Sequence, residues 1–240
     1  MNALEYVLSY EKPYKREGFL SASQLASATD YQLWLSGQQT PETYKNETGT
    51  SVNSLIGNAF HKYVEDLLIK SKISHMVEKE LMTYVDGYKI SGTCDLIEFN
   101  EDMNGKMIAT FCDWKTKGVY QAKKVLKGDT EETMIQLSVY RYMFDKTNKE
   151  RMINIFDTDD IGYMYMIITG DTGYFAKADG GGKMPKYADI PIKLMSIERT
   201  EKFIKYKLAI ATGSEPVMDC EAWRCDYCRF ECKYRMNNVE

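Results

Sequence analysis

The sequence predicts an α/β fold of the α+β type with one main domain. Three observations predict it: an amphipathic helix in the N-terminal half, three strand-like segments joined by short turns after it, and a helix, a strand and a helix before a cysteine-rich tail. With 240 residues, 44% of them apolar, the chain is long enough to bury the core of a single domain. We expect residues 1–215 to form that domain and residues 216–240 to form a cysteine-rich segment packed on it.

The first clear element is a helix from Val52 to Leu68. Its apolar residues recur at helical spacing, which predicts an amphipathic helix with a broad buried face. The apolar positions are Val52, Leu55, Ile56, Ala59, Phe60, Tyr63, Val64 and Leu67.

Three strands follow this helix as an antiparallel meander. The runs Glu80–Val85 and Tyr88–Phe99 flank Asp86-Gly87, a dipeptide typical of two-residue hairpins because both residues tolerate positive φ. A second turn signal, Asn104-Gly105, precedes the third run, Lys106–Lys115.

The second half of the chain returns to helical patterning. Asp129, with Glu132 three residues later, predicts an N-cap for a helix that continues through Phe144. The run Ile161–Ile168 has the length and β-branched content of a buried strand, and Ile192–Ile210 is typical of a further helix.

Composition excludes several classes of protein. A formal charge of −4 argues against a protein that coats nucleic acid by bulk attraction, because such proteins are strongly basic. No apolar run reaches the ~18 residues of a bilayer span, and the N-terminus lacks the pattern of a secretory signal. We therefore expect no membrane association and a cytoplasmic location, in a bacterial or phage-infected cell.

A local basic stretch follows the third strand. Five lysines within thirteen residues form either a surface that follows a phosphate backbone or a solvated lysine-rich loop, and the sequence leaves both readings open. These are Lys115, Lys117, Lys123, Lys124 and Lys127.

Acidic and basic side chains meet on the third strand. Because side chains alternate along a strand, Asp113 and Lys115 share one face while Cys112 and Trp114 point to the other. Antiparallel pairing with the preceding strand brings Asp95 next to Asp113. Two adjacent carboxylates repel each other unless a cation holds them, and oxygen ligands of this kind suit Mg²⁺ or Mn²⁺. The alternative is an ordinary surface Asp–Lys pair.

Two helices present polar residues at four-residue spacing. On the first, Gly57, His61 and Glu65 lie on one face, off the apolar stripe, where an imidazole and a carboxylate can reach a metal. On the second, Gln136 and Tyr140 aim an amide and a phenol in the same direction. With Asp95, Asp113 and Lys115, this set suits phosphodiester hydrolysis, in which a metal acidifies water and an ammonium stabilises developing charge.

Four segments, taken in order, resemble the motifs of the PD-(D/E)XK nuclease superfamily, and most closely those of RecB-type, RecE-like and phage exonucleases. GNAFHKYVEDLL, SGTCDLIEF, TFCDWKTKG and QLSVYRYMF are similar to its His, G-x-x-D, D/E-x-K and Q-x-x-x-Y motifs, and SASQL resembles its opening S-x-S segment. The resemblance implies a restriction-endonuclease-like core, in which a central mixed β-sheet is flanked by helices.

The resemblance also implies roles for individual residues. His61, Asp95 and Asp113, with the backbone carbonyl of Trp114, would bind Mg²⁺ or Mn²⁺. The catalytic residues would be Asp95, Asp113 and the lysine of the third motif, Lys115.

A second group of residues is expected around these. Glu65 is a candidate supporting acid, and Glu80 on the first strand is a candidate second carboxylate that supports the metal ligands. By the resemblance, Gln136 and Tyr140 would contact the DNA backbone or order the active site. Further contacts with DNA are expected from the basic stretch, at Lys117, Lys123 and Lys124.

Four cysteines crowd into the C-terminal tail, at Cys220, Cys225, Cys228 and Cys232. Four thiolates this close bind either Zn²⁺ or an iron–sulfur cluster, and spacing alone does not separate the two. Several RecB-like nucleases carry a cluster whose last three cysteines lie after the Q-x-x-x-Y helix, so the resemblance favours iron–sulfur. Those relatives take the first cysteine from an N-terminal segment that reads SATDYQLW here, so Cys220 would substitute for it. Cys94 and Cys112 are expected to be small core residues.

The function that the sequence favours is a metal-dependent DNA exonuclease in recombination, repair or phage DNA processing. Analogy with RecE-like systems suggests a single-strand annealing protein as a partner, and related exonucleases form homo-oligomers. Two alternatives remain: a catalytically silent DNA-binding module with a structural metal site, and an endonuclease with the same active site. The paired acids with a lysine favour an enzyme, since a silent module has no physical need of them.

Overall fold

A computed structural model of the chain describes residues 19–38, 52–71, 74–151, 156–170 and 185–220. The described helices are α1 (Ala22–Ser27), α2 (Asp30–Gln38), α3 (Val52–Ile69), α4 (Val119–Leu126), α5 (Glu131–Glu150) and α6 (Ile197–Thr212). The described strands are β1 (Leu20–Ser21), β2 (His75–Val85), β3 (Tyr88–Glu101), β4 (Met107–Gly118), β5 (Phe156–Thr158), β6 (Ile161–Thr169) and β7 (Tyr187–Lys193). Among these helices, none combines the length and the apolarity that a membrane span requires.

The seven described strands form one mixed sheet. β3 is antiparallel to β2 and to β4, and the short β1 runs parallel to β3 beyond the stretch that β4 pairs with. β4 pairs in parallel with β5 and β6, and β7 completes the sheet antiparallel to β6. The expected central mixed sheet is therefore confirmed.

Helices pack against both faces of the sheet. On one face, the ring of Phe144 in α5 lies 5.5 Å from Phe111 of β4 and 6.4 Å from Phe99 of β3. On the other face, Phe60 of α3 lies 5.9 Å from Trp114 of β4, which alternation places opposite Phe111. The core lies mainly between α5 and the sheet, because α5 buries residues on all of its central turns.

A buried arginine connects α5 to two segments: the turn between β5 and β6, and the residues between β7 and α6. Arg141 is only 2% exposed, and its guanidinium donates to the carbonyl of Asp159 at 2.8 Å, to the carboxylate of Asp160 at 2.6 Å and to the carbonyl of Met195. Ser138, one turn earlier, accepts a hydrogen bond from the N–H of Met195 at 3.0 Å. Since a buried charge is stable only when paired, this network fixes the position of α5.

The N-terminal helices pack against the C-terminal helix. Asp30 of α2 forms an ion pair with Lys207 of α6 at 2.7 Å. Beyond α6, the carboxylate of Asp219 accepts hydrogen bonds from the N–H groups of Asp30 and Tyr31 at 3.0 and 3.1 Å, and so caps the start of α2. The chain after α6 therefore returns to the N-terminal part of the fold.

Most of the predicted elements are confirmed. The helix from Val52, the three strands of the meander and the strand from Ile161 are present with slightly longer bounds. Asp86 and Gly87 have φ of 49° and 83°, as their hairpin requires, and Gly105 has φ of 79°.

Three predictions about the later elements are wrong. The helix expected over Ile192–Ile210 begins only at Ile197, because residues 187–193 form β7. The N-cap expected at Asp129 falls at Thr130. The loop that was one reading of the basic stretch is not formed, since Lys115 and Lys117 lie in β4 and Lys123 and Lys124 lie in α4.

The predicted buried face of the first helix is also wrong. Ile56, Tyr63 and Leu67 of α3 are about half exposed or more, at 49%, 64% and 49%. The side chains that turn inward include Phe60, and with it the polar His61. The helix contacts the sheet along only part of its length. The side of the helix that faces the sheet is the side that carries His61, and not the predicted apolar stripe.

We predict that Gly37→Ala destabilises the protein by disturbing the contact between α2 and α6. A Cβ at residue 37 would lie 1.9 Å from the carbonyl oxygen of Ala211, so the two helices must separate. Overpacking of this kind lowers the free energy of unfolding by about 1–3 kcal/mol, measured by urea denaturation.

Gly57→Ala is the matched control, because its Cβ would meet only the Thr116 hydroxyl, at 3.4 Å. Ala is the better helix former, so this variant should gain up to about 1 kcal/mol. Equal stability of the two variants would contradict the predicted helix contact.

Candidate active site

The two central aspartates meet where β3 and β4 separate. The pairing of these strands ends at Leu96 opposite Cys112, and one further step in the same register places Asp95 opposite Asp113. At this point the N–H of Trp114 donates to Asp95 Oδ2 at 2.9 Å instead of to a strand carbonyl. The sequence predicts that Asp95 and Asp113 lie side by side. In the structure, the Asp95 side chain of β3 also accepts a hydrogen bond from the backbone of β4.

Asp113 and Lys115 form a close pair on one face of β4. The Lys115 ammonium lies 3.0 Å from Asp113 Oδ1, to which it donates, and 2.9 Å from Oδ2. Asp113 is only 1% exposed, and its Oδ2 is buried without a hydrogen bond of suitable geometry. A buried carboxylate oxygen that lacks such a bond fits a further cation beside Lys115.

Burial has the largest effect on the pKa values of the two carboxyl groups, Asp113 and Asp95. It raises the pKa of Asp113 to about 6, and the nearby Asp95 carboxylate adds to the increase while Lys115 opposes it. Burial also raises the pKa of Asp95, against the influence of His61 and the N–H of Trp114. The pKa of Lys115 is raised, since the Asp113 carboxylate outweighs the effect of burial.

His61, on α3, lies close to the carboxylates of Asp95 on β3 and Glu78 on β2. Its Nδ1 lies 3.7 Å from Asp95 Oδ2 and 3.9 Å from Glu78 Oε1, and one ligand atom from each of the three residues lies within 4.8 Å of the others. An imidazole and two carboxylates at this spacing are able to hold a divalent cation.

Glu78 is the site residue that the sequence interpretation missed. The two-residue turn after Val85 sets the register of β2 against β3, and this register puts Glu78 opposite Asp95. The Asp86-Gly87 signal was therefore sufficient to find Glu78. Glu80, the residue of this strand that was expected to support the metal ligands, lies opposite Thr93 and is exposed.

Glu65 is likewise held elsewhere. Its carboxylate pairs with Lys62, one turn before it on α3, at 2.7 Å. In the part of the chain that the structure describes, neither Glu65 nor Glu80 joins the group around Asp95.

Gln136 and Tyr140 contact each other behind the site. The Gln136 amide donates to the Tyr140 hydroxyl at 3.0 Å, and the Tyr140 ring packs so closely on Gly92 of β3 that a Cβ there would lie 2.8 Å from it. Tyr140 is 3% exposed, and burial raises the pKa of its phenol. Of the two roles left open for Tyr140, this buried position suits ordering of the active site.

The predicted basic residues lie just beyond the site. Lys117 ends the same strand as Asp113 and Lys115, and Lys123 and Lys124 occupy the last turn of α4. The Lys124 ammonium lies 4.9 Å from the centre of the exposed Tyr120 ring.

Trp114 separates Asp113 from Lys115 and anchors the strand between them. Its ring packs 4.8 Å from Tyr165 of β6 and 5.9 Å from Phe60. Its backbone N–H binds Asp95, so its peptide lies beside the predicted metal ligands.

Of the four tail cysteines, the structure describes Cys220, and Cys225, Cys228 and Cys232 lie outside the described residues. Cys220 Sγ lies 3.0 Å from Thr29 Oγ1, within the SATDYQLW segment. Cys94 and Cys112 are fully buried, which confirms them as core residues, and burial raises the pKa of Cys112 to about 12.

Comparisons with known proteins bear on the family and on the fold of the chain. A sequence model of the PD-(D/E)XK nuclease superfamily matches residues 23–233. The fold is similar to the crystal structure of SSO0001, with a TM-score of 0.58, 14% identity and coverage of 98% of each chain. A second crystal structure, of a proposed exonuclease from Eubacterium rectale, aligns with a TM-score of 0.34 and 10% identity. The alignment covers 88% of this chain and 75% of that protein. No curated protein matches the sequence significantly.

We predict that Asp113→Asn stabilises the metal-free protein above pH 6. In the folded state the carboxyl has a pKa of about 6 instead of 3.8, so folding retains a proton that the unfolded chain releases. The free energy of unfolding therefore falls as pH rises from about 4 to 6 and stays low above that range. Two units of pKa correspond to about 3 kcal/mol, which is the largest gain expected, because the opposing effect of Lys115 is already included in the raised pKa.

Urea denaturation in a chelator at pH 4 and pH 8 measures this effect. Asp102→Asn is the control, because hydrogen bonds from the N–H groups of Lys106 and Asn104 lower the pKa of Asp102, and its amide should not stabilise at pH 8. A metal-free Asp113→Asn protein less stable than the wild type at pH 8 would contradict the prediction.

Proposed function

Because the chain belongs to the PD-(D/E)XK nuclease superfamily, we propose that it is a Mg²⁺- or Mn²⁺-dependent deoxyribonuclease that hydrolyses phosphodiester bonds as an exonuclease. The observation that carries the proposal is the group formed by Asp95, Asp113 and Lys115, in which two carboxylates and an ammonium meet where β3 and β4 separate. Such a group has no structural benefit, because burial disfavours both carboxylates.

The residues present fit a divalent cation. Asp95, Asp113 and the backbone carbonyl of Trp114 would hold it, with His61 completing the set from α3. When bound, the ion supplies Lewis acidity at the phosphodiester and acidifies a water molecule. Carboxylate and carbonyl oxygens are the ligands that Mg²⁺ and Mn²⁺ prefer.

Lys115 supplies the positive charge that the reaction needs. Its raised pKa keeps it protonated at neutral pH, so it donates hydrogen bonds and does not act as a base. Fixed beside Asp113, the ammonium orients the attacking water and stabilises the charge that develops on the phosphate oxygens. Asp113 positions that ammonium through its contact at 3.0 Å.

The phosphate backbone would leave the site along the basic residues. Lys117 continues the strand of Lys115, and Lys123 and Lys124 follow on α4, so their ammonium groups line one route from the catalytic pair. Tyr120 beside Lys124 adds an exposed aromatic surface. Gln136 of α5, half-buried and bound to Tyr140, would add an amide contact with the DNA backbone.

A RecB-type or RecE-like identity, a role in recombination, repair or phage DNA processing, and a single-strand annealing partner belong to the same proposal. They rest on the order and spacing of the four motifs quoted above. Homo-oligomers are part of that analogy as well.

We propose further that residues 1–215 form the nuclease domain and residues 216–240 a metal-binding segment, in which Cys220, Cys225, Cys228 and Cys232 hold an iron–sulfur cluster or, alternatively, Zn²⁺. The position of Cys220 supports this. Its thiol lies beside Thr29, in the segment from which similar nucleases take their first cysteine, so a residue from the other end of the chain occupies that place.

We predict that the wild type degrades end-labelled linear duplex DNA with Mg²⁺ or Mn²⁺, while closed circular DNA survives. Lys115→Ala and Asp113→Asn should each lower the rate at least ~100-fold, because Lys115 stabilises charge at the reacting phosphate and Asp113 holds the cation and positions Lys115. Lys193→Ala, an exposed lysine on β7, is the control and should retain the wild-type rate.

Cutting of closed circles would replace the exonuclease by an endonuclease with the same site. Inactivity of the wild type and both variants, with DNA still bound, would favour the silent binding module instead.

We also predict that protein purified without oxygen is brown and contains iron and sulfide. Cys220→Ser should lose most of the bound iron, because a cluster needs four ligands, and Cys112→Ala should keep it. Colourless protein with one zinc per chain would assign the tail to Zn²⁺, and protein without either metal would contradict the metal-binding segment.

A further inference from the structure

We propose that Glu78 is a cation ligand and that His61, Glu78 and Asp95 hold one cation beside a second one held by Asp95 and Asp113. The inference rests on the proposed function and adds a residue and a second ion to it. It also assigns His61 to the ion at Glu78 rather than to the ion at Asp113. In this arrangement the Asp95 carboxylate is shared by the two ions.

The spacing of the three side chains is that of metal ligands. The Nδ1 atom of His61 lies 3.7 Å from Asp95 Oδ2 and 3.9 Å from Glu78 Oε1. Both distances are too long for a hydrogen bond. Two ligands that each stand about 2.1 Å from one ion are separated by about 3–4 Å, as these atoms are.

The backbone at Glu78 has an unusual conformation. Its φ of 46° places a non-glycine residue in the left-handed region, which costs of order 1 kcal/mol. Strand pairing is also interrupted there, because bridges join Val77 to Leu96 and Lys79 to Cys94 but not Glu78 to Asp95. Irregular strand positions of this kind commonly re-aim a side chain beside an active site.

Asp113 lies at a separate position. Its carboxylate is in contact with the Lys115 ammonium and is 1% exposed, while the side chains of Glu78 and His61 are 41% and 29% exposed. An ion at Glu78 is thus open to solvent, and an ion at Asp113 is enclosed. The Asp113 Oδ2 atom lies 2.9 Å from the Lys115 ammonium without a hydrogen bond of suitable geometry, so it is able to accept a metal ion at this separate position.

The test is a titration of the metal-free full chain with Mn²⁺ alone, in which electron paramagnetic resonance of free Mn²⁺ counts the bound ions. We expect two ions per wild-type chain and one per chain in Glu78→Gln, with at least a ~10-fold loss of affinity for the missing ion. Asp113→Asn should also bind one ion. Glu80→Gln, a change of the same kind two residues along the same strand, should bind two.

The outcomes separate this inference from the proposed function. Two ions in Glu78→Gln, or one ion in the wild type, would overturn the inference and leave the Asp95–Asp113 site as it was. Loss of both ions in Glu78→Gln, with the fold intact by circular dichroism, would overturn it in favour of a single shared site. Loss of Mn²⁺ binding in Glu80→Gln would also contradict it, because the effect would then not be specific to residue 78.

Discussion

The constraint on which the rest of the site depends is the placement of two carboxylates, Asp95 and Asp113, side by side where water is scarce. Burial raises the pKa of both, so the fold holds them against their preference for solvent. In the metal-free chain three groups compensate: the Lys115 ammonium at Asp113, and the Trp114 N–H and the His61 imidazole at Asp95. Each comes from a different direction, so the strands and α3 must all be fixed in place for the carboxylates to coexist.

The core supplies that rigidity through α5, which packs on the face of the sheet that carries Asp113. Tyr140 packs on Gly92, three residues before Asp95, and only a glycine leaves room for its ring. Arg141, the next residue on α5, is bound to Asp159, Asp160 and Met195 and so ties the helix to the loop before β6 and to the residues before α6. Tyr140 thus supports β3, the strand that carries Asp95, and the next residue, Arg141, holds α5 in place. The ion pair contributes little net stability because Asp160 is exposed, but the three contacts of the buried guanidinium favour one position of α5 over its neighbours.

Local pattern was enough to predict the meander and the D-x-K face, because strand alternation and two-residue turns are properties of short segments. The elements that failed depend on tertiary contacts. The residues of β7 form a strand because β6 offers an edge to pair with, although Ile192 also fits the apolar spacing of the helix that follows. The buried side of α3 is set by what it meets on the sheet, so its exposed apolar residues carry no signal of orientation. Glu78 is different, since the turn at Asp86-Gly87 fixed its register, and extending that register to Asp95 identifies it.

The spacing of Asp113 and Lys115 follows from the period of a β-strand. Two residues apart, they share a face, and the residue between them must face the other way. Here that residue is Trp114, whose ring packs between Tyr165 and Phe60 and so anchors β4 to β6 and α3. Its N–H meanwhile binds Asp95, which joins the neighbouring strand to the same residue. One tripeptide therefore supplies an acid, an ammonium and the anchor that holds them in register, and a shift of one residue would bury the lysine under α3 and remove the acid from the site.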